Sequence, residues 1–397
     1  MNAVNFIHKI NSQNFLFTCS WHISEGKIFM VRSVDVAIIG GGVIGCSIAY
    51  ELSKKSMNCI VFEKTRLASG ASGATAGMIG PIWYMDHTIN PYFQLGMESW
   101  ESFPNLVEEL KESGIDPEFQ QNGAIKILLD ESSDGFLLDD LKWQEKLGLE
   151  VRWIDRKELI DREPEITDKA LGGIFSPKDA TIKGSAFVRA LAHSAGNLGA
   201  TILENLDVIS LKIERNKVVG VITQSGHFHA EHTIIAAGAW SGISRHWTSE
   251  QIPIRPIKGQ RILIRKSGFV PKNWIQSLVP QKDGTILSAA TREEGIFNNT
   301  VTGDAISQMV ASAKDIFPIL GDAEFISASA GVRPGTPDGM PILGPIPHLS
   351  GVSIASGHDH VGIMSSPATA KIMAEYVTTG DESMIQFFNL NRFSEDI

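Results

Sequence analysis

The spacing of apolar residues changes character at residue 34. VDVAIIGGG (34–42) is a short apolar run, with Asp35 at its start, that leads straight into glycines, as expected of a strand buried on both faces and stopped by a tight turn. VIGCSIAYELSKK (43–55) then repeats at helical spacing, and NCIVFEK (58–64) is a second apolar run, so the opening unit predicts β-α-β. Residues 88–112 read as a helix carrying Phe93, Leu95, Met97, Trp100, Phe103 and Leu106. A turn and strand follow at 120–131. A loop and helix come next at 132–148, with Phe136, Leu138, Leu141 and Leu147 as expected core. Residues 149–166 give a strand and a short acidic helix whose charges form a solvated face. The latter part of 172–200 is a helix with Phe187, Leu191 and Ala195 on one side, entered through 179–183.

From residue 200 the period shortens to that of strands. RNK at 215–217 reads as a hairpin turn, and IIAAGAWS (234–241) as a strand that ends in small residues. Further strands are expected over 252–292. GDAISQMVASAKDIFPIL (303–320) is amphipathic, with Ile306, Met309, Val310, Ala313, Ile316 and Phe317 on one face. SAGVRPGTPDGMPILG (329–344) is a stiff glycine–proline path holding one cation, Arg333.

Composition narrows the class. The 397 residues suffice for two domains, and 43% hydrophobic with 20% charged residues is ordinary for a globular chain. A net charge of −10 gives no support for a nucleic-acid partner. Cys19, Cys46 and Cys59 show no metal or redox spacing, so a reducing, cytoplasmic location without disulfides is expected. No run of 18 apolar residues occurs. Residues 1–32 read as an N-terminal extension, with Met30 as an alternative start. His227, His229 and His232 read as the polar face of a hairpin rather than a metal site, because ligand spacing is absent.

The first chemical signal is Gly40, Gly42 and Gly45, in GxGxxG spacing after a strand and before a helix. The first glycine permits the turn, the second admits a pyrophosphate, and the third allows close helix–strand packing. The helix N-terminus faces the phosphate charge. Glu63, 18 residues past Gly45, stands where a carboxylate meets ribose hydroxyls. These features fit NAD and FAD alike. The segment KTRLASGASGATAGMIGP (64–81), rich in small residues, suits a backbone that runs close to a large ligand.

GGGVIG, Glu63, ASGASGATAGMIGP, IIAAGAWS, the Arg333 run and GHDHVGIMSSPATA (357–370) together resemble the FAD-dependent D-amino-acid oxidase and sarcosine oxidase family, most of all its glycine oxidases. The resemblance implies an α/β fold: a Rossmann-like FAD-binding domain and a discontinuous α+β substrate domain on a mainly antiparallel sheet. It places 33–82, 171–248 and 331–380 in the first domain, 83–170 and 249–330 in the second, and 381–397 in a tail. It implies non-covalent FAD, because no cysteine lies beyond Cys59. The implied FAD site draws on Gly40, Gly42, Val43, Ile44 and Gly45 at the first turn, and on Glu63, Lys64 and Arg66 after the second strand. Ser69, Ala71, Ser72, Ala76, Gly77 and Met78 follow along the small-residue segment. Val208, Ala237, Gly238 and Trp240, then Gly357, His358, Gly362 and Ile363, complete it.

The chemistry so implied is oxidation of a small amino acid by hydride transfer from its α-carbon to flavin N5. Arg333 is the expected carboxylate anchor, since a guanidinium fork grips a carboxylate with two hydrogen bonds. The competing reading ties Arg333 to Asp338. Arg292 is a weaker candidate that pairs locally. Two positions depart from the glycine oxidases: His360 replaces a second arginine in the GHDHVG segment, and Ser277 stands near an expected tyrosine in IQSLVP. Only Tyr84 and Tyr92 could replace that tyrosine. Glycine is therefore a doubtful substrate, and an N-alkylated, cyclic or D-amino acid is expected instead. Expected partners are O₂ or a quinone or dye-type acceptor, further copies of the chain, and a partner subunit if the protein is a dehydrogenase at a membrane. A non-catalytic FAD-binding protein and an NAD-dependent dehydrogenase are the remaining readings.

Overall fold

A computed structural model describes residues 19–24, 27–80, 88–130 and 134–393. Two nine-stranded sheets organise these residues. At the centre of the first, Gly226–Ile235, Lys27–Ile39, Cys59–Phe62 and Thr201–Leu203 run parallel, with Val352–Ser356 parallel to Gly226–Ile235 on the other side. Burial explains their composition: Val36, Ala37, Ile38, Cys59, Ile60 and Val61 are fully enclosed. Parallel strands covered on both faces need apolar residues at consecutive positions. The antiparallel hairpin Val208–Glu214/Lys217–Thr223 closes the edge. Its turn residues Arg215 and Asn216 both adopt positive φ, 49° and 64°, as the expected tight hairpin requires.

Helices Val43–Lys54, Gly184–Asn197, Gly362–Thr379 and Pro91–Glu112 pack together and bury one common core with the first sheet. The last of these corrects the expected domain division. Residues 91–112 fall in the stretch expected to form the second domain, but Tyr92, Leu95, Phe103 and Leu110 are buried with the first sheet's helices. The strand Lys27–Ile39 also starts ahead of the expected residue 34, through antiparallel pairing with Cys19–Ser24.

The second sheet runs Glu293–Glu294, Arg255–Arg265, Ile286–Ala289, Leu278–Pro280, Trp274–Ile275, Ala124–Leu128, Gly172–Ser176, Arg152–Asp155, with Glu324–Gly335 also on Arg255–Arg265. Only the contact of Trp274–Ile275 with Ala124–Leu128 is parallel. Gly303–Ile316 lays Ala305, Met309, Ala313 and Ile316 on this sheet. Val310 of the expected apolar face is instead exposed. Gly172–Ser176 and Glu324–Gly335 belong to this sheet, whereas 171–248 and 331–380 were expected with the first. Pairing along Arg255↔Gly335 to Arg265↔Glu324 carries the second sheet through Arg333, which sits opposite Ile257.

Candidate functional site

A cavity of about 1150 Å³ lies between the carboxyl ends of the first sheet's strands and the Arg333 strand of the second. It exceeds the roughly 300–1,000 Å³ of ordinary small-ligand sites. Its floor is the first turn. Gly40 has φ 119°, and a Cβ there would lie 2.4 Å from the Ala236 carbonyl oxygen. Gly42, Val43 and Ile44 line the cavity at the N-terminus of Val43–Lys54, whose first turn carries no acidic residue. Gly45 does not line it: a Cβ there would lie 2.1 Å from the Gly40 oxygen, so its role is close packing beneath the turn.

Glu63 is held rather than free. One carboxylate oxygen accepts from the Gly41 N–H (2.9 Å) and the other from the Thr65 N–H (2.9 Å). Ser69, Ala71, Ser72, Ala76, Gly77 and Met78 line one wall. The Ser72 hydroxyl accepts from Val43 N–H at 3.0 Å and so ties this wall to the helix. At Gly77 the chain passes so close to Ile182 that a Cβ would meet its carbonyl oxygen at 1.7 Å. Lys64 lines the cavity while pairing with Asp207 at 3.0 Å. Arg66 is exposed and off the cavity.

Val208, Ala237, Gly238 and Trp240 line the far side, where Trp240 meets Phe297 edge-on at 5.2 Å. His358, Gly362 and Ile363 close the cavity near the start of Gly362–Thr379. Gly357 lies off the wall and shapes the turn into it, with φ 87°. His358 is buried, with Nε2 3.2 Å from the Thr369 hydroxyl. Burial pulls its imidazole down to about 3, so the ring is neutral. Its Nδ1 has no hydrogen-bond partner among the described residues.

Arg333 faces the cavity from the opposite wall. Its guanidinium lies over Gly259, where a Cβ would come within 2.4 Å of Nη2, and Nη1 donates to the Thr291 carbonyl at 3.1 Å. Asp338, the partner in the competing reading, is held by Arg392 at 2.7 and 3.2 Å. Beside Arg333, Arg292 makes a two-pronged pair with Asp359 (3.1 and 3.0 Å) and donates to Glu294 (2.8 Å). Burial would raise the Asp359 carboxyl, but hydrogen bonds from His360 and Arg292 outweigh it and hold it at about 2. His360 lines the cavity with Nδ1 3.3 Å from Asp359.

Ser277 does not join this group. It lines a smaller cavity of about 480 Å³, which shares Ala290, Thr291 and Arg292 with the main one. Tyr92 is buried beneath the His358 turn and donates to the His358 carbonyl at 3.1 Å. Tyr84 lies outside the described residues. Sequence reasoning passed over Asp359 as a pairing partner and Arg261 altogether. Arg261 donates to the carbonyls of Gly73 (2.7 Å) and Thr75 and to the Ser329 hydroxyl (2.9 Å). Burial pulls its guanidinium down to about 10, so it stays charged near neutrality.

The donor set fits FAD. A helix N-terminus suits the diphosphate, a carboxylate at the end of the second strand suits ribose hydroxyls, and small residues leave room along the wall. The cradle is steric as well, because side chains at positions 40 and 77 would strike backbone oxygens.

Comparison with known proteins gives the same picture. The family model described as DAO, FAD dependent oxidoreductase, matches residues 35–376. The glycine oxidase of Geobacillus kaustophilus (strain HTA426) is 32% identical over 356 residues, covering 88% of this chain and 94% of that protein. The solved glycine oxidase of Bacillus cereus ATCC 14579 superposes with a TM-score of 0.84 at 32% identity, covering 89% of this chain and 98% of that one. The L-proline dehydrogenase of P. horikoshii shares the fold at 24% identity, with a TM-score of 0.79 and coverage of 91% and 98%.

Proposed function

Since the chain belongs to the DAO family of FAD-dependent oxidoreductases, which act on CH–NH groups, we propose that it oxidises a small amino acid whose carboxylate is anchored by Arg333. The observation that carries this reading is the placement of Arg333 in the same cavity as the glycine turn and Glu63, on the facing wall. Bound FAD supplies the hydride acceptor at flavin N5. Arg333 binds and orients the carboxylate, and its guanidinium is fixed by Gly259 and the Thr291 carbonyl before substrate arrives. His358, which lines the same cavity, remains uncharged. An amine that gives up its ammonium proton to solvent on binding needs no catalytic base for the hydride to leave the α-carbon.

The Arg292–Asp359 pair and His360 form the wall next to Arg333. We assign substrate choice to this wall, and expect an N-alkylated, cyclic or D-amino acid to be preferred over glycine. FAD is held without a covalent bond. Neither Cys46 nor Cys59 lines the cavity, and burial pushes both thiols up, Cys59 to about 12. Acid precipitation should therefore release the flavin into the supernatant.

The test is anaerobic mixing with glycine, sarcosine, proline, hydroxyproline and D-amino acids. Bleaching of the flavin band by at least one of them is expected; no bleaching by any would sink the assignment. Reoxidation by air or only by a quinone-like dye then separates an oxidase from a dehydrogenase that serves a partner subunit. No helix among the described residues is long and apolar enough to cross a membrane.

A further inference from the structure

We infer that Arg261 is a positioning residue that locks the wall carrying Arg333 to the glycine-rich segment lining the FAD cavity. A set of hydrogen bonds crosses between the two walls. Arg261 and Gly259 share one face of Arg255–Arg265, and Ser329, Gly331 and Arg333 share one face of Glu324–Gly335, because alternate strand residues point the same way. Arg261 pairs in register with Ser329, and its Nε donates to the Ser329 hydroxyl at 2.9 Å. The other two nitrogens donate across the gap to the carbonyls of Gly73 (2.7 Å) and Thr75.

Those two carbonyls flank the part of the segment whose shape matters most. Ser72, beside Gly73, accepts from the Val43 N–H at the helix that faces the cavity. Ala74, Thr75 and Ala76 line the cavity themselves. Gly331 lies directly against this segment: a Cβ there would come within 2.6 Å of the Ala74 Cβ. Arg333 is two residues farther along the same strand face. Three hydrogen bonds from one rigid guanidinium therefore set the spacing between the carboxylate anchor and the cofactor wall. A lysine could satisfy the charge, but its donors sit on one nitrogen and lack the planar fork that here spans three acceptors on two walls.

The cofactor half of this inference stands on the family; the substrate half rests on Arg333 being the anchor. The experiment keeps them apart. FAD is titrated into apoprotein, following flavin fluorescence, for the parent and for Arg261→Ala. Loss of charge-assisted bonds to the segment is expected to weaken FAD at least about tenfold. Arg261→Ala also enlarges a cavity of about 90 Å³ beside the guanidinium. Millimolar guanidinium chloride is expected to restore FAD affinity there, whereas urea, of the same shape but neutral, is not. FAD affinity within about twofold of the parent overturns the inference, as does a loss that guanidinium leaves unchanged. If Arg261→Ala does not fold, Arg261→Lys carries the test, and parent-like FAD affinity in it overturns the inference. In parallel, KM for any flavin-reducing amino acid should rise in Arg261→Ala and recover with guanidinium. A parent that binds FAD but is reduced by no amino acid defeats the Arg333 reading and leaves the FAD titration to decide on Arg261.

Discussion

The two walls of the cavity are built on different principles. The cofactor wall depends on backbone approach: Gly40, Gly45 and Gly77 each sit where a Cβ would strike a carbonyl oxygen at 2.4, 2.1 and 1.7 Å. The facing wall, which we assign to the substrate, depends on side-chain charge. Arg333, Arg292, Asp359 and His360 come from three separate segments and hold one another through ion pairs and a backbone carbonyl. A backbone-built wall tolerates almost no added atom but asks little of charge. A charge-built wall tolerates changes of shape and is most sensitive to loss of the one charge that meets the substrate. The contrast implies that cofactor binding and substrate choice can be altered separately.

The largest effect should come from the substrate wall. Arg333→Ala should keep its flavin spectrum yet lose about 2–5 kcal/mol of substrate interaction, roughly 30-fold to several thousand-fold in kcat/KM. Steady-state kinetics with FAD content measured on the same samples checks this. Loss of FAD from this variant would erase the distinction between the walls. Next is Gly45→Ala, in the packing beneath the cofactor wall. Its clash is with backbone, so about 1–3 kcal/mol of destabilisation is expected, together with weaker FAD binding. Gly196→Ala, in a helix with nothing within 4 Å, is the matched control and should leave Tm unchanged or raise it.

Acid should act through two shielded imidazoles, His358 buried and His232 half-buried. Burial lowers His358 to about 3 and His232 to about 4, from 6.5. Protons then bind the unfolded chain preferentially, so stability is complete above about pH 6.5 and falls as pH drops toward those values. Melting curves from pH 8 to 5 should show this fall, and His232→Asn should flatten it.

The smallest effect is expected for Asp359→Asn. Its contribution is present above pH 3.8 and lost as pH falls through about 2. Because Arg292 is half exposed, the pair should be worth no more than about 1 kcal/mol at neutral pH. Denaturant titration measures that, while KM should shift by only a few fold. A large loss of kcat in Asp359→Asn would mean that the pair takes part in the reaction itself.

The legible part of the site follows the same division. GxGxxG, Glu63 and the small-residue segment could be read directly, because a turn needing positive φ or close approach leaves glycine as a local mark. The expected lining residues from Gly40 to Met78 mostly face the cavity, apart from Gly45 and Arg66. Arg333 was visible as an isolated cation in a stiff segment. Arg261 was not. In KGQRILIR the alternation of strand residues puts it with Leu263 and Arg265, which reads as an outward face. That face is covered by residues 73–75, nearly two hundred positions earlier in the chain. Ser277 failed for a related reason: proximity to a motif along the chain placed it at the pocket, and the fold turned it into the neighbouring cavity.

The amino-acid sequence alone determined the class of fold, the dinucleotide turn and the presence of one cation suited to a carboxylate. These are local properties, set by apolar period and by what glycine permits. Tertiary structure decided the rest: that the Arg333 strand belongs to the second sheet, that Asp338 is taken by Arg392 and Asp359 by Arg292, and that Arg261 bridges the two walls. Each of those depends on which distant segments meet. Side-chain charges are satisfied by whatever partner folding brings within hydrogen-bond reach, and spacing along the chain does not record that choice.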